Sequence, residues 1–439
     1  VITRPQPVEA AAAVARALGE RAFPAWWCAQ EELEAGVLPT REYVACDPIA
    51  VVRGDSLAEL TAAWSSARAL WAATSPAPLS VPVGVGFFSY DLGRAFHALG
   101  GTPPPPSGWP GLEFRFYDAC WVRGRSGACE IWAANEAAAA ALASKLVPAA
   151  ARPSDFDLSP FRALEPPAQH LASIQRVLDY LVAGDAYQVN LARRLSARLA
   201  AAGPPGLELF TRLCASAAAP FALWLADPAR GRAVIGNSPE RFLRLSAGRT
   251  LETAPIKGTR PRGAGVADDA ALLAALTSDP KDRAEHVMIV DLERNDLGRI
   301  CEVGSVSVVQ PFRVLTLPSV LHLETTVRGR LRAGVELAEI LHATFPGGSI
   351  TGAPKRRAMQ IIDELEPAQR GPYTGATGWL GAAGDFDLAV AIRTAVLEGE
   401  ALTLWVGGGI VADSTPAAEL TETEVKARAF AALCTRELV

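Results

Sequence analysis

Residues 374–409 read TGATGWLGAAGDFDLAVAIRTAVLEGEALTLWVGGG. Apolar side chains recur with strand-like spacing over 374–380, 385–397 and 401–406, and turn-forming groups at 381–384 and 398–400 divide the runs. This pattern predicts a three-strand antiparallel meander that runs into a triple glycine. Pro416 then opens a helix over roughly 416–433. The strand pattern recurs upstream at 187–191, 221–226, 233–236, 241–245 and 314–328, whereas 268–278 and 281–292 have helical spacing. The expected fold class is α+β, with large antiparallel sheets packed as a sandwich and helices on the outside.

Residues 1–150 read as a mixed α/β region. A strand is expected over 42–52, a helix over 56–73 with Ser56 as its cap, and a glycine-bearing strand over 83–90. Prolines 103–106 form an extended connector. A hairpin over 112–134 turns at 123–127, and an alanine-rich helix follows. Residues 151–167 are rich in Pro, Ser and Asp and lack periodicity, so they are the expected linker. They divide a region at 1–150, a candidate regulatory site, from a catalytic region at 168–439. The latter begins with an amphipathic helix presenting Leu171, Ile174, Val177, Leu178 and Leu181.

The totals exclude several function classes. Of 439 residues, 50% are hydrophobic, and Lys plus Arg number 42 against 47 Asp plus Glu, a net charge of -5. That balance argues against nucleic acid and against an anionic membrane as partner. Seven cysteines (28, 46, 120, 129, 214, 301 and 434) never form C-x-x-C, which argues against a disulfide framework or a zinc site. Charged residues interrupt the alanine-rich start, so no signal-peptide core is expected, and no apolar run is long enough for a membrane helix. The expected location is the cytoplasm.

Chemistry concentrates in a few places. In Pro255-Ile256-Lys257-Gly258-Thr259-Arg260-Pro261-Arg262-Gly263, Lys257 stands where a strand breaks into a loop, with two arginines behind it. Neighbouring like charge and burial both lower an ammonium pKa, and a neutral amine is a nucleophile; a solvated basic loop is the plainer alternative. Asp282 with Glu285, and Glu419 with Glu422, are i, i+3 carboxylate pairs on two helices. They could hold Mg²⁺, one carboxylate per helix binding directly and the other through water, or simply lie on solvated faces, with Glu422 and Lys426 as a surface pair. Gly407-Gly408-Gly409 could offer backbone N–H groups to an anion or form a turn. The glycine-rich loop at 346–355 lacks a closing Gly-Lys-Ser/Thr, which argues against a nucleotide-phosphate cradle. Arg393, mid-strand, needs an anionic partner if buried. His322 alone reads most simply as a core histidine.

Together these motifs resemble the chorismate-utilising enzymes. The resemblance is carried by Pro255-Ile256-Lys257-Gly258-Thr259-Arg260, Ala284-Glu285-His286, Asp291-Leu292-Glu293-Arg294-Asn295-Asp296-Leu297-Gly298-Arg299, Gly347-Gly348-Ser349-Ile350-Thr351-Gly352-Ala353-Pro354-Lys355, and 407–412 followed by Glu419, Glu422 and Lys426. It covers about 165–435 strongly and 1–150 more weakly, through Gly86-Phe87-Phe88-Ser89-Tyr90-Asp91. Two positions choose among members. Lys257 resembles the aminodeoxychorismate-forming branch, where anthranilate synthases usually have Ala. Gln188 stands where water-using members carry a lysine base, and an amide cannot deprotonate water.

The resemblance implies a mechanism. Mg²⁺ on Glu285 and Glu422, with Asp282 and Glu419 in its water shell, would bind the ring carboxylate of chorismate. Arg393, Tyr373, Gly407, Gly408 and Gly409 would hold the enolpyruvyl carboxylate, with Thr259 and Gln188 also lining the site. Glu240 would protonate the departing C4 hydroxyl, with His322 beside it. Lys257 would attack C2, and ammonia entering at C4 would expel it, giving 4-amino-4-deoxychorismate for p-aminobenzoate and folate synthesis. None of the cysteines has the Gly-flanked elbow of a glutaminase, so a separate glutamine amidotransferase subunit is the expected ammonia source. Many relatives bind tryptophan near an N-terminal segment ending in Ser; the similar stretch, 23–30, ends in Gln30 and departs from that pattern. The alternatives are anthranilate formation and a catalytically silent chorismate-binding subunit.

Overall fold

The computed structural model describes residues 2–6, 10–29, 41–73, 80–146, 153–263, 265–317 and 320–435. Gln30, the departure in the tryptophan-like segment, lies outside them. Two large antiparallel sheets, of thirteen and ten strands, account for the strand-rich sequence, so the α+β sandwich expected from it is what the chain adopts. The alternation reads directly as layering. In strand Phe221–Asp227, Leu223 and Leu225 face the second sheet, while Ala222, Trp224 and Ala226 face helices on the other side. Val85 and Phe87 of strand Pro82–Phe88 meet them from the second sheet, beside the Trp27–Tyr43 stack. Helices Ala11–Leu18, Glu136–Lys145, Leu207–Ala217 and Pro416–Ala431 cover the outer face of the first sheet. Helices Leu57–Ala72, Pro280–Gly298, Leu337–Thr344 and Lys355–Leu365 pack on the second core. Ser56 caps its helix as expected, accepting from the Glu59 N–H at 3.2 Å.

Several runs expected as single strands are pairs that change sheet or direction. Residues 42–52 divide into Arg41–Ala45 in the first sheet and Ala50–Gly54 in the second, with Asp47 turning at φ 53°. The expected strand 385–397 divides into Phe386–Val390 in the second sheet and Thr394–Glu398 in the first. The meander is therefore two hairpins in two sheets, and Arg393, expected mid-strand, sits at the crossing with φ 50°. Residues 314–328 likewise fall on Ser307–Thr316 and Val320–Arg330, which pair with each other.

Both sheets take strands from both halves of the chain. Ala25–Ala29 pairs with Phe221–Asp227, and Pro82–Phe88 pairs with Ala376–Gly381. Within the expected linker, Phe156–Leu158 and Arg162–Ala163 pair with the long strand Gln188–Ala201. The described residues before 147 thus contribute strands to both sheets.

Arg241 and Asp387, on adjacent strands, form a two-bonded ion pair at 2.9 Å with both side chains buried. Removing one partner of such a pair strands a charge in the core. Asp387→Ala is expected to cost about 3–5 kcal/mol, read from the urea unfolding midpoint. Arg241 directly follows Glu240, so the same pair fixes the backbone beneath that carboxyl.

Candidate active site

Lys257 lies on strand Ile256–Pro261, paired with Val320–Arg330, and not on the open loop expected. The register slips between Lys257↔Leu323 and Thr259↔His322, and Gly258 turns the slip at φ 72°. A bulge of this kind re-aims the side chain beside it. A Cβ at Gly258 would stand 2.8 Å from Leu276 and 3.2 Å from the Asp282 carboxyl, so both space and backbone select glycine.

The amine of Lys257 points at the triple glycine. A Cβ on Gly409 would be 3.4 Å from Lys257 Nζ and 2.8 Å from Gln188 Nε2. Gln188 is fully buried, and neither amide atom has a hydrogen-bond partner among the described residues. Burial lowers the Lys257 pKa; Glu285, Glu240 and Glu422 pull it back up, and Lys426 pushes it down. The arginines expected to cause that shift are engaged elsewhere: Arg260 with Asp279 and Asp282, both at 2.9 Å, and Arg262 with Asp269. The lowering is therefore a matter of burial first.

Gly407, Gly408 and Gly409 are neither loop nor turn. They end strand Ala401–Ile410, in register with Ala192, Leu191 and Asn190. The N–H groups of Ala192 and Asn190 go to Glu366 and Thr351, away from the glycines. Gly407 and Gly409 therefore sit at non-hydrogen-bonded positions, with their own peptide groups turned outward. Lys426 Nζ donates to the outward Gly407 carbonyl at 2.7 Å and pairs with Glu422 at 2.7 Å. Gly409→Ala is expected to displace Gln188 and Lys257 while the strand persists, because the contacts are flexible side-chain ends. Turnover at this site should fall by about 10²-fold with a melting temperature near wild type.

Glu240 is buried, and burial pushes its pKa up to about 7. A hydrogen bond from the Ser349 side chain, the charge of Lys257 and the Ile256 backbone N–H restrain the rise. His322 is held by Arg393 and Thr259. Its Nε2 is 3.0 Å from Arg393 Nη2, and its Nδ1 is 3.0 Å from Thr259 Oγ1 and 3.3 Å from the Gly258 carbonyl. A guanidinium only donates, so Nε2 accepts and the proton sits on Nδ1. Burial and Arg393 push the His322 pKa down to about 3, so the ring is neutral at pH 7. Arg393 is itself lowered to about 10 by burial, with Glu240 opposing, and stays charged. Tyr373 stacks on Trp405 with centroids 5.9 Å apart, and burial keeps its phenol protonated.

The carboxylates expected at a metal divide. Glu419 Oε2 and Glu422 Oε1 would be 3.1 and 3.5 Å from a Cβ on Gly408, so both lean into a cradle that a side chain would fill. Glu285 and Glu422 both act on the Lys257 charge, which places them around one space. Asp282 is drawn to Arg260. Among the described residues no three His, Cys, Asp or Glu close on a single point. Mg²⁺ keeps several waters and needs only one or two carboxylates, so this all-oxygen set suits it through Glu285 and Glu422, with Glu419 adjacent.

Sequence reasoning assigned no role to Ser349, whose side chain reaches Glu240, or to Asn190, which donates to the Ser349 carbonyl at 3.3 Å. The motif 347–355 was the signal for Ser349; Asn190 alternates with Gln188 on one strand.

Residues 25–432 match the family of chorismate binding enzymes, and the chain belongs to that family. It is 46% identical over 282 residues to an anthranilate synthase component 1 of Streptomyces coelicolor, covering 64% of this chain and 54% of that one. It is 41% identical over 343 residues to an aminodeoxychorismate synthase component 1 of Klebsiella aerogenes, covering 77% and 74%. The chain thus spans about half the length of the first relative and three quarters of the second. The crystal structure of anthranilate synthase component I from Streptococcus pneumoniae superimposes with a TM-score of 0.76 at 30% identity, covering 92% of this chain and 94% of that one. Among the described residues no helix is long and apolar enough to cross a membrane.

Proposed function

We propose that this protein converts chorismate and ammonia to 4-amino-4-deoxychorismate through a covalent lysine adduct. The observation that carries the reading is the placement of Lys257: an amine with lowered pKa, re-aimed by a glycine bulge, beside an acid poised near neutrality. The Lys257 amine attacks ring carbon C2 while Glu240 gives its proton to the C4 hydroxyl; the C1=C2 and C5=C6 double bonds shift to C1=C6 and C4=C5, and the hydroxyl leaves as water. Ammonia then attacks C4 and the C2–N bond breaks, returning the amine. Arg393, oriented by neutral His322, and the outward Gly407 and Gly409 amides offer donors for a substrate carboxylate. Mg²⁺ held by Glu285 and Glu422 would neutralise the other carboxylate of the substrate. A buried, neutral Gln188 cannot act as a base toward water, which favours a nitrogen nucleophile.

Ammonia is supplied in this reading by a separate glutamine amidotransferase subunit, in the cytoplasm, and the product serves p-aminobenzoate and folate synthesis. The test is incubation with chorismate, Mg²⁺ and a high ammonium concentration, with products identified by mass spectrometry. The expected product yields p-aminobenzoate only after a 4-amino-4-deoxychorismate lyase is added. Relatives named anthranilate synthase favour a second reading, and anthranilate appearing without added lyase would establish it. Absent turnover at high ammonium would instead support a silent chorismate-binding subunit.

A further inference from the structure

Two of the sequence motifs, 291–299 and 347–355, acquire no role in the reaction above, yet they meet in one buried cluster. Glu293, on helix Pro280–Gly298, accepts the Gly348 N–H at 2.8 Å through Oε1. Three residues on, Asp296 pairs with Lys355 Nζ at 2.6 Å, and the same ammonium donates to the Thr344 carbonyl at 2.7 Å. One face of one helix therefore ties down both ends of the turn that carries Ser349. The helix and the turn are in close contact. A Cβ on Gly348 would be 2.7 Å from Leu292 Cδ2 and 3.1 Å from Glu293 Oε1. On its far side the turn meets the site, where the Ser349 side chain lies near enough to Glu240 to hold its pKa down and the Ser349 carbonyl accepts from Asn190.

We propose that Glu293 is a positioning residue for the acid: by fixing the Gly348–Ser349 turn it aims the Ser349 hydroxyl at Glu240. The inference rests on Glu240 being the proton donor. Glu293 is buried, and its Oε2 has no hydrogen-bond partner among the described residues, a feature a mere turn anchor does not explain. Asp296, Lys355 and Glu240 are the charged groups facing it. Burial and Asp296 raise its pKa above the ordinary carboxyl range, which lessens the negative charge it places beside the acid. Glu240 in turn is faced by Lys257, Glu324, Arg393 and Glu293. Of its contacts, the Ser349 hydroxyl is the one that Glu293 controls.

The hydroxyl stabilises the Glu240 carboxylate, so losing it raises the acid's pKa. Glu293→Leu should lower kcat about 10-fold, leave the KM for chorismate within about twofold, and move the alkaline limb of the pH–rate profile up by about half a unit or more. Glu293→Gln retains an acceptor for the Gly348 N–H and should restore both. Ser349→Ala should shift the limb equally, and the double variant Glu293→Leu/Ser349→Ala no further, since both break one connection. Asp291→Asn, on the exposed side of the same helix, serves as the control for helix charge. A Glu293→Leu protein that melts lower but keeps the wild-type limb, or additive shifts in the double variant, would overturn the proposal. The profile is read on chorismate consumption, so it stands whichever product forms. If no chorismate is consumed, infrared titration of the Glu240 carboxyl, assigned as the band lost in Glu240→Gln, reads the same shift directly.

Discussion

Replacing Lys257 with alanine is expected to lower ammonia-dependent turnover of chorismate by about 10³-fold or more while chorismate binding changes only a few-fold. The asymmetry follows from what surrounds the amine. Lys257 faces Glu240, Glu285 and Glu422, whereas the donors proposed for the substrate carboxylate belong to Arg393 and the outward glycine amides. Glu422 keeps Lys426 as a partner after truncation, so the variant leaves no lone charge at that position. Arginine should not rescue, because a guanidinium stays charged and is not a nucleophile. The wild-type protein mixed with chorismate and Mg²⁺ without ammonia should gain the mass of one chorismate less one water, located on Lys257 by peptide mapping. Full turnover in Lys257→Ala would remove the covalent role.

How far the sequence reaches is set by which physical signals are local. Alternation placed most of the longer strands but missed Ile2–Gln6, Ala25–Ala29, Ile256–Pro261 and the short strands of the expected linker, and the i, i+3 carboxylates of Asp282, Glu285, Glu419 and Glu422 fell on the helices expected. Alternation did not show where a run changes sheet. Asp47 and Arg393 turn such corners with positive φ, a change of one backbone angle that leaves no mark on the flanking apolar pattern. The same blindness made Arg393 a strand residue and split one expected meander between two sheets. The triple glycine invited a loop, yet its missing side chains serve a strand that Gln188 and Lys257 approach from one side and Glu419 and Glu422 from another. Charge neighbours were the least legible. Arg260 and Arg262 are adjacent to Lys257 in sequence but neutralised by Asp279, Asp282 and Asp269, while Glu285 and Lys426, distant in sequence, act on it directly. Coulomb interactions follow distance in space, and one sequence carries no such distance.

Glu240→Gln is expected to lower turnover by about 10²–10⁴-fold and to abolish the alkaline limb of the pH profile. A proton donor acts only while protonated. With its pKa near 7, this acid makes the wild-type rate fall about tenfold per pH unit above that value, while protonation of the Lys257 amine lowers the rate on the acid side. Stability should also fall with rising pH, over a lower range. The folded-state pKa lies above the ordinary carboxyl value, so the native state is favoured fully below pH 4.5 and loses that advantage as pH rises toward 7. Glutamine is neutral throughout and escapes the loss, which is on the order of a few kcal/mol at most. Melting temperatures of the two proteins should therefore converge near pH 4.5, with Glu240→Gln the more stable at pH 8. A variant that is both inactive and less stable at pH 8 would show that Glu240 is a structural carboxylate. One that gains stability as it loses activity identifies a carboxyl whose burial destabilises the fold and keeps a transferable proton at neutral pH.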